Sequence, residues 1–152
     1  MKALPYREGS WFGVPLRGGG YAVGVVARMR RNGKIVLLYL FGPKRETVPT
    51  LSEVTMLRPQ EAVKCVRAGD LGLINGDWPV LGEASEWDGA AWQMPTFVRR
   101  DELAKRAWRV VYSDADPSQV EREEPAPYDI DLEADALWGY GAVELKLTKL
   151  LD

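Results

Sequence analysis

Histidine is absent from this chain of 152 residues and cysteine occurs once, at Cys65, so the chemistry open to it is narrow. Ser-His-Asp and Cys-His hydrolysis, His-ligated metals and histidine proton relays are excluded. One cysteine makes neither an internal disulfide nor a Cys-based zinc site. Catalysis would have to come from carboxylates, lysine or tyrosine. The carboxylates are concentrated: Asp114, Asp116, Glu121, Glu123, Glu124, Asp129, Asp131, Glu133 and Asp135 stand against one base, Arg122, between residues 114 and 136. The remainder of the chain is net basic, and the whole carries a formal charge of −2. An acidic tract of this kind is either a solvated surface loop or a docking surface for a basic partner, and these nine residues are the candidate partner-binding set.

Two glycine phrases invite a ligand reading. Gly139-Tyr140-Gly141-Ala142-Val143-Glu144 opens like a dinucleotide fingerprint, but Glu144 replaces the third glycine and the preceding segment is acidic rather than strand-like. Its plainer role is a tight turn into a helix, with Glu144 in the first turn hydrogen-bonded to backbone. Gly18-Gly19-Gly20 lacks the Gly-Lys-Ser/Thr ending of a phosphate loop and suits a hairpin turn. No catalytic, cofactor-binding or metal-binding residue is assigned, and no cofactor is expected. The six tryptophans read as core and rim packing, with Trp87 and Trp92 the two expected to be partly exposed. Basic residues cluster at Arg28, Arg30, Arg31 and Lys34 and again at Arg99, Arg100, Lys105 and Arg106. Such hairpins can touch phosphates, but the strong negative tract disfavours nucleic acid as a partner.

The elements that must position these groups read mainly as antiparallel strands. Trp11–Leu16 and Tyr21–Arg30 flank the glycine turn, and Arg31-Asn32-Gly33 supplies an Asn-Gly hairpin turn into a strand from Lys34 to Phe41. The unbroken apolar run Ile35–Phe41 predicts a central strand covered on both faces, ended by Gly42-Pro43. Pro59 suits the first turn of a short helix through about Arg67, although Val63, Cys65 and Arg67 also fit an alternating strand. Asn75-Gly76 reads as a turn between Leu73-Ile74 and a strand at Trp78–Leu81, which Pro79 confines to an edge or to its own start. Thr96–Arg99 and Ala107–Tyr112 are further strands, the segment 114–136 is a long surface stretch, and Val143, Leu147, Leu150 and Leu151 recur at helical spacing over 140–151.

The expected fold class is therefore α+β: a mainly antiparallel, strongly bent or barrel-like sheet closed by a C-terminal helix. The length and the 46% apolar content suit a single domain over residues 1–152. The N-terminal residues lack the apolar core of a signal peptide and Ile35–Phe41 is too short to span a bilayer, so a cytoplasmic location with no membrane partner is expected.

Several aromatic-glycine-proline phrases supply a further reading. Glu8-Gly9-Ser10-Trp11-Phe12-Gly13-Val14-Pro15-Leu16, Gly20-Tyr21-Ala22-Val23-Gly24, Phe41-Gly42-Pro43, Gly69-Asp70-Leu71-Gly72-Leu73, Gly76-Asp77-Trp78-Pro79 and Gly139-Tyr140-Gly141-Ala142-Val143-Glu144 occur in an order and spacing that resembles the bacterial immunity protein 26 family. The resemblance implies a non-enzymatic inhibitor that binds and occludes a cognate toxin domain of a polymorphic toxin system; the acidic tract suits a basic toxin domain such as a nuclease. It does not assign contacts to individual residues. A nucleic-acid-binding barrel using the Arg28–Lys34 hairpin, and a carboxylate-dependent hydrolase, stand as the alternative readings.

Overall fold

The computed structural model describes residues 3–152; Met1 and Lys2 of the N-terminal stretch discussed above lie outside it. Among the described residues ten strands form two sheets. The first contains β1 (Ser10–Pro15), β2 (Tyr21–Met29), β3 (Ile35–Arg45), β4 (Lys64–Gly69), β5 (Val80–Glu83) and β10 (Leu137–Trp138), in the order β10-β4-β3-β2-β1-β5. The second contains β6 (Thr96–Asp101), β7 (Arg106–Tyr112), β8 (Val120–Ala126) and β9 (Glu133–Ala134), in the order β8-β7-β6-β9. All pairings are antiparallel except β10 with β4 and β9 with β6. The sheets are bent but do not close into a barrel. Register shifts in the β2–β3 ladder supply part of the bend, because a bulged strand twists and kinks locally.

Side-chain alternation on the central strands builds two cores. From β1, Phe12 and Val14 point to one face and Trp11 to the other. From β3, Val36, Leu38 and Leu40 face one way while Leu37 and Phe41 face the other. The first face packs against Val143 and Leu147 of a C-terminal helix, Tyr140–Leu151, and against Trp78, whose ring stacks on Phe12 at 5.4 Å. The second face packs against Phe97, Val110 and Tyr112 of the second sheet, with Val54 and Trp92 filling the gap between. This three-layer arrangement explains the unbroken apolar run on β3: both of its faces are covered. Burial at this density supplies the main stabilisation, roughly 1.5–3 kcal/mol for each large side chain removed from water.

Two short helices seat the connections. α1 (Leu51–Val54) is opened by a capping box in which the Thr50 backbone N–H donates to Glu53 Oε1 at 3.1 Å, and it delivers Val54 to the second core. α2 (Leu71–Ile74) follows Asp70, a buried carboxylate that accepts from Tyr6 Oη at 2.7 Å and from the Lys34 backbone N–H at 2.8 Å. The C-terminal helix is α3.

Several expectations are corrected. Residues 59–67 do not form a helix; a 3-10 turn at Pro59–Glu61 gives way to β4, which is held between β3 and β10. Leu73-Ile74 belongs to a helical turn rather than a strand, whereas β5 is the edge strand that Pro79 implied. β3 does not stop at Gly42-Pro43 but runs to Arg45. In the β2–β3 hairpin the left-handed residues are Gly33 and Lys34, not Asn32: the Gly33 N–H closes a turn on the Arg30 carbonyl at 2.8 Å, and Lys34 absorbs the second positive φ while its N–H reaches Asp70. Trp92 is buried in the second core, while Trp87 is half-buried as expected. Leu150 is 45% exposed and lies off the apolar stripe of α3. Glu144 falls beyond the first helical turn, and its partner is a side chain: Trp78 Nε1 donates to Glu144 Oε2 at 2.9 Å, with Arg17 3.4 Å from the other oxygen. The segment 114–136 is exposed over most of its length, yet it includes β8 and β9.

Candidate functional site

The nine carboxylates of the acidic tract do not form one cluster. They divide into those the fold uses and those it leaves free. Asp135 is the most deeply engaged: Oδ1 accepts from Tyr112 Oη at 2.6 Å and from Arg67 Nη2 at 3.2 Å. Arg67 is itself buried, donates to the Pro117 carbonyl at 3.2 Å and lies 3.7 Å from the centre of the Tyr112 ring. A buried guanidinium must be paired, and this clamp pins both ends of the acidic segment to β4. Burial, together with the bond to Asp135, pushes the Tyr112 hydroxyl up to about 12. Glu133 is also structural, since Lys64 Nζ lies 2.8 Å from it. Asp116 organises its own turn, accepting from the Ser118 hydroxyl at 2.6 Å and the Ser118 N–H at 2.9 Å, which holds its carboxyl below the usual range.

Two more acids are tied at the surface. Asp114 pairs with Arg28 at 3.3 Å, and Arg28 is buried and also donates to the Ala27 carbonyl. Glu123 pairs with Arg99 at 2.9 Å, and the Arg99 guanidinium lies 4.3 Å from the centre of the Trp108 ring. Arg100 reaches the carbonyls of Tyr128 and Ile130 at 2.7 and 2.5 Å. The basic clusters therefore hold the acidic segment in place: Arg28, Arg99 and Arg100 are spent within the fold, while Arg30, Arg31 and Lys34 remain exposed around the β2–β3 turn.

Glu121, Glu124, Asp129 and Asp131 form no ion pair or side-chain hydrogen bond among the described residues, and all four are exposed. Strand alternation on β8 sets Glu123 and Glu124 on opposite faces, Glu124 beside Arg109 and Glu123 beside Val110. β8 is the outer strand of its sheet, so its outer N–H and C=O groups face away from β7. An edge strand that is charged and contains Pro125 resists casual pairing with other chains, yet it presents a row of carboxylates in a fixed order. What the arrangement offers chemically is an anionic strand edge suited to meeting cations. Among the described residues no group of three or more Asp, Glu, Cys or His side chains is placed to hold a metal ion. Cys65 is packed beside Tyr39, and burial pushes its thiol up to about 12. No helix among the described residues is long and apolar enough to cross a membrane.

The sign of the tract was legible in the sequence, but its anchors were not. Arg28, Lys64, Arg67 and Arg99 lie on other strands, and the pairs span separations such as 86 residues for Arg28–Asp114 and 68 for Arg67–Asp135. The one local hint was the alternation of acidic and basic runs, which says that they can neutralise each other without saying which residues meet.

The family described as Immunity protein 26 matches residues 7–109 of the chain. No curated protein and no solved structure matches it. The family match spans β1 to β6 and part of β7, while β8, the acidic tract, α3 and the phrase Gly139–Glu144 lie beyond it.

Proposed function

This chain belongs to the immunity protein 26 family, and on that premise we propose that it protects a bacterial cell by binding a cognate toxin domain of a polymorphic toxin system and occluding the surface on which that toxin works. It acts in the cytoplasm as a single domain, without catalysis of its own. The toxin domain is basic, as a nuclease would be. The observation that carries the charge of the partner is the set of four carboxylates that form no ion pair among the described residues, Glu121, Glu124, Asp129 and Asp131, displayed on and after an edge strand that is paired along its length with β7. Carboxylates fixed in this way speed encounter with a basic cleft and can stand where substrate phosphates would lie. Their position outside the family match supports a division of labour: the shared strands build the scaffold, and this chain's own acidic edge selects the partner.

The test is stopped-flow association with the toxin domain encoded beside this gene. Converting Glu121, Glu123 and Glu124 together to lysine slows association roughly tenfold or more at low salt, and the difference shrinks as added salt brings the Debye length to about 8 Å. Glu123 releases Arg99 in that variant, but an exposed pair contributes about 1 kcal/mol or less, so folding is retained. Association rates that match wild type across the salt series place the binding face elsewhere.

A further inference from the structure

A groove beside the second core has the chemistry of a pocket for one basic side chain. Its floor is aromatic: Trp92 is buried edge-on against Trp11 at 5.8 Å and Tyr39 at 5.1 Å, and Trp87 stacks on it at 5.3 Å as the outer plate. Met56, 83% exposed, and Leu57 form the facing wall, and the space between is about 380 Å³. The rim is acidic. Glu86 makes no ion pair among the described residues, and Asp88 uses only Oδ1, accepting from the Ala90 N–H at 3.1 Å. The one cation on the rim, Arg58, is drawn aside to Glu61 at 3.1 Å.

An exposed thioether and a half-buried tryptophan beside the free carboxylate of Glu86 and the free Oδ2 of Asp88 match an amphipathic cation: a long apolar stem with a charged head. We propose that this groove receives an arginine or lysine side chain from the protein partner, its stem lying on Met56, Leu57 and Trp87 and its head meeting Glu86 and Asp88. Arginine fits best, since a planar guanidinium can bridge two carboxylates and rest on an aromatic edge. The proposal rests on the toxin-binding reading and adds an anchor point to it. Next to Asp88 the loop approaches the anchor of the acidic tract: a Cβ placed on Gly89 would lie 3.8 Å from Arg28 Nη1, and Arg28 pairs with Asp114. Rigid aromatic pockets set beside charged edges are where interface energy concentrates, because little side-chain freedom is lost on binding.

The six tryptophan indole N–H signals in a ¹H–¹⁵N spectrum give the readout, with Trp87 assigned by Trp87→Phe. Trp87 Nε1 is buried with no hydrogen-bond partner, so its signal reports on small movements of the plate. N-acetyl-arginine amide is titrated against its neutral isostere N-acetyl-citrulline amide and against N-acetyl-norleucine amide. The expected result is a saturable shift of Trp87 and Trp92 with the arginine probe, at least fivefold weaker for the other two and abolished by Glu86→Gln with Asp88→Asn. Equal response to arginine and citrulline overturns the proposal. A dominant norleucine response overturns it in favour of an apolar occupant, and shifts that follow protein concentration without any probe do so in favour of a second copy of the chain. The titration needs no toxin, so its failure removes the groove and leaves the toxin-binding reading standing. Against a toxin domain that wild type binds, Glu86→Lys with Asp88→Lys raises Kd at least tenfold; an unchanged Kd shows that the partner's cation goes elsewhere.

Discussion

Gly24 sits on β2 directly between Phe12 on β1 and Leu40 on β3, and replacing it by alanine tests how the first core is assembled. An added Cβ would lie 2.5 Å from Phe12 Cζ, 2.8 Å from Phe12 Cε2 and 2.9 Å from Leu40 Cδ2. Carbon atoms rest in contact at about 3.5–4.0 Å, so the Phe12 ring must move. It has nowhere to go, because Phe12 and Trp78 are both fully buried and their rings are parallel to within 2°. Overpacking of a filled core costs about 1–3 kcal/mol, and the overlap with a clamped aromatic places Gly24→Ala near 3. In a chain of this length that lowers Tm by about 6–12 °C. The sign is what makes the test sharp. Gly24 has no positive φ, so on an uncrowded strand alanine would stabilise by about 0.5–1 kcal/mol. The assay is thermal and urea unfolding of Gly24→Ala, Phe12→Leu and the double variant. The double variant should be less destabilised than the sum of the singles by about 1 kcal/mol or more. A neutral or stabilising Gly24→Ala, or strict additivity, would refute the packing argument.

Leu147→Ala, at a position 1% exposed between α3 and the first sheet, costs about 3 kcal/mol by urea unfolding; a loss under 1 would mean that α3 is not part of the core. Asp135→Ala strands the buried Arg67 and costs about 3 kcal/mol, and Arg67→Met with Asp135→Ala recovers a measurable part of it, whereas no recovery in the double variant would break the clamp. The thiol of Cys65 is held neutral by burial, so native protein at pH 8 reacts with a disulfide reagent far more slowly than urea-unfolded protein does. Because its folded value of about 12 lies above the ordinary 9.0, its contribution is complete below pH 9 and is lost as pH rises toward 12; the fall in urea midpoint over that range should be shallower in Cys65→Ala, and parallel curves would contradict the assignment.

The parts of the fold that were readable from sequence are those decided by local pattern. Alternation on β1 and β2, the doubly covered run of β3, Pro79 before an edge strand, and the Val143–Leu147 stripe of α3 each follow from one segment's own residues. Elsewhere, distant partners decided. Residues 64–69 carry a pattern compatible with helix or strand, and pairing to β3 on one side and β10 on the other selects strand. β8, Val-Glu-Arg-Glu-Glu-Pro-Ala, has no apolar alternation because its side chains are almost all exposed; backbone pairing to β7 and the Arg99–Glu123 contact hold it instead. Trp92 was misplaced because its flanking glycine, alanine and aspartate look like a loop, and a loop is what it is, folded back over Trp11 and Phe41. Glu144 finds Trp78 across 66 residues, a pairing that composition cannot announce.

Growth of cells expressing the proposed cognate toxin domain, with and without co-expression of this chain, tests toxin neutralisation most directly. Wild type should restore growth, and the rescue should weaken when Glu121, Glu123 and Glu124 are all lysine. Cells that die at the same rate whether or not the folded chain is present would contradict neutralisation.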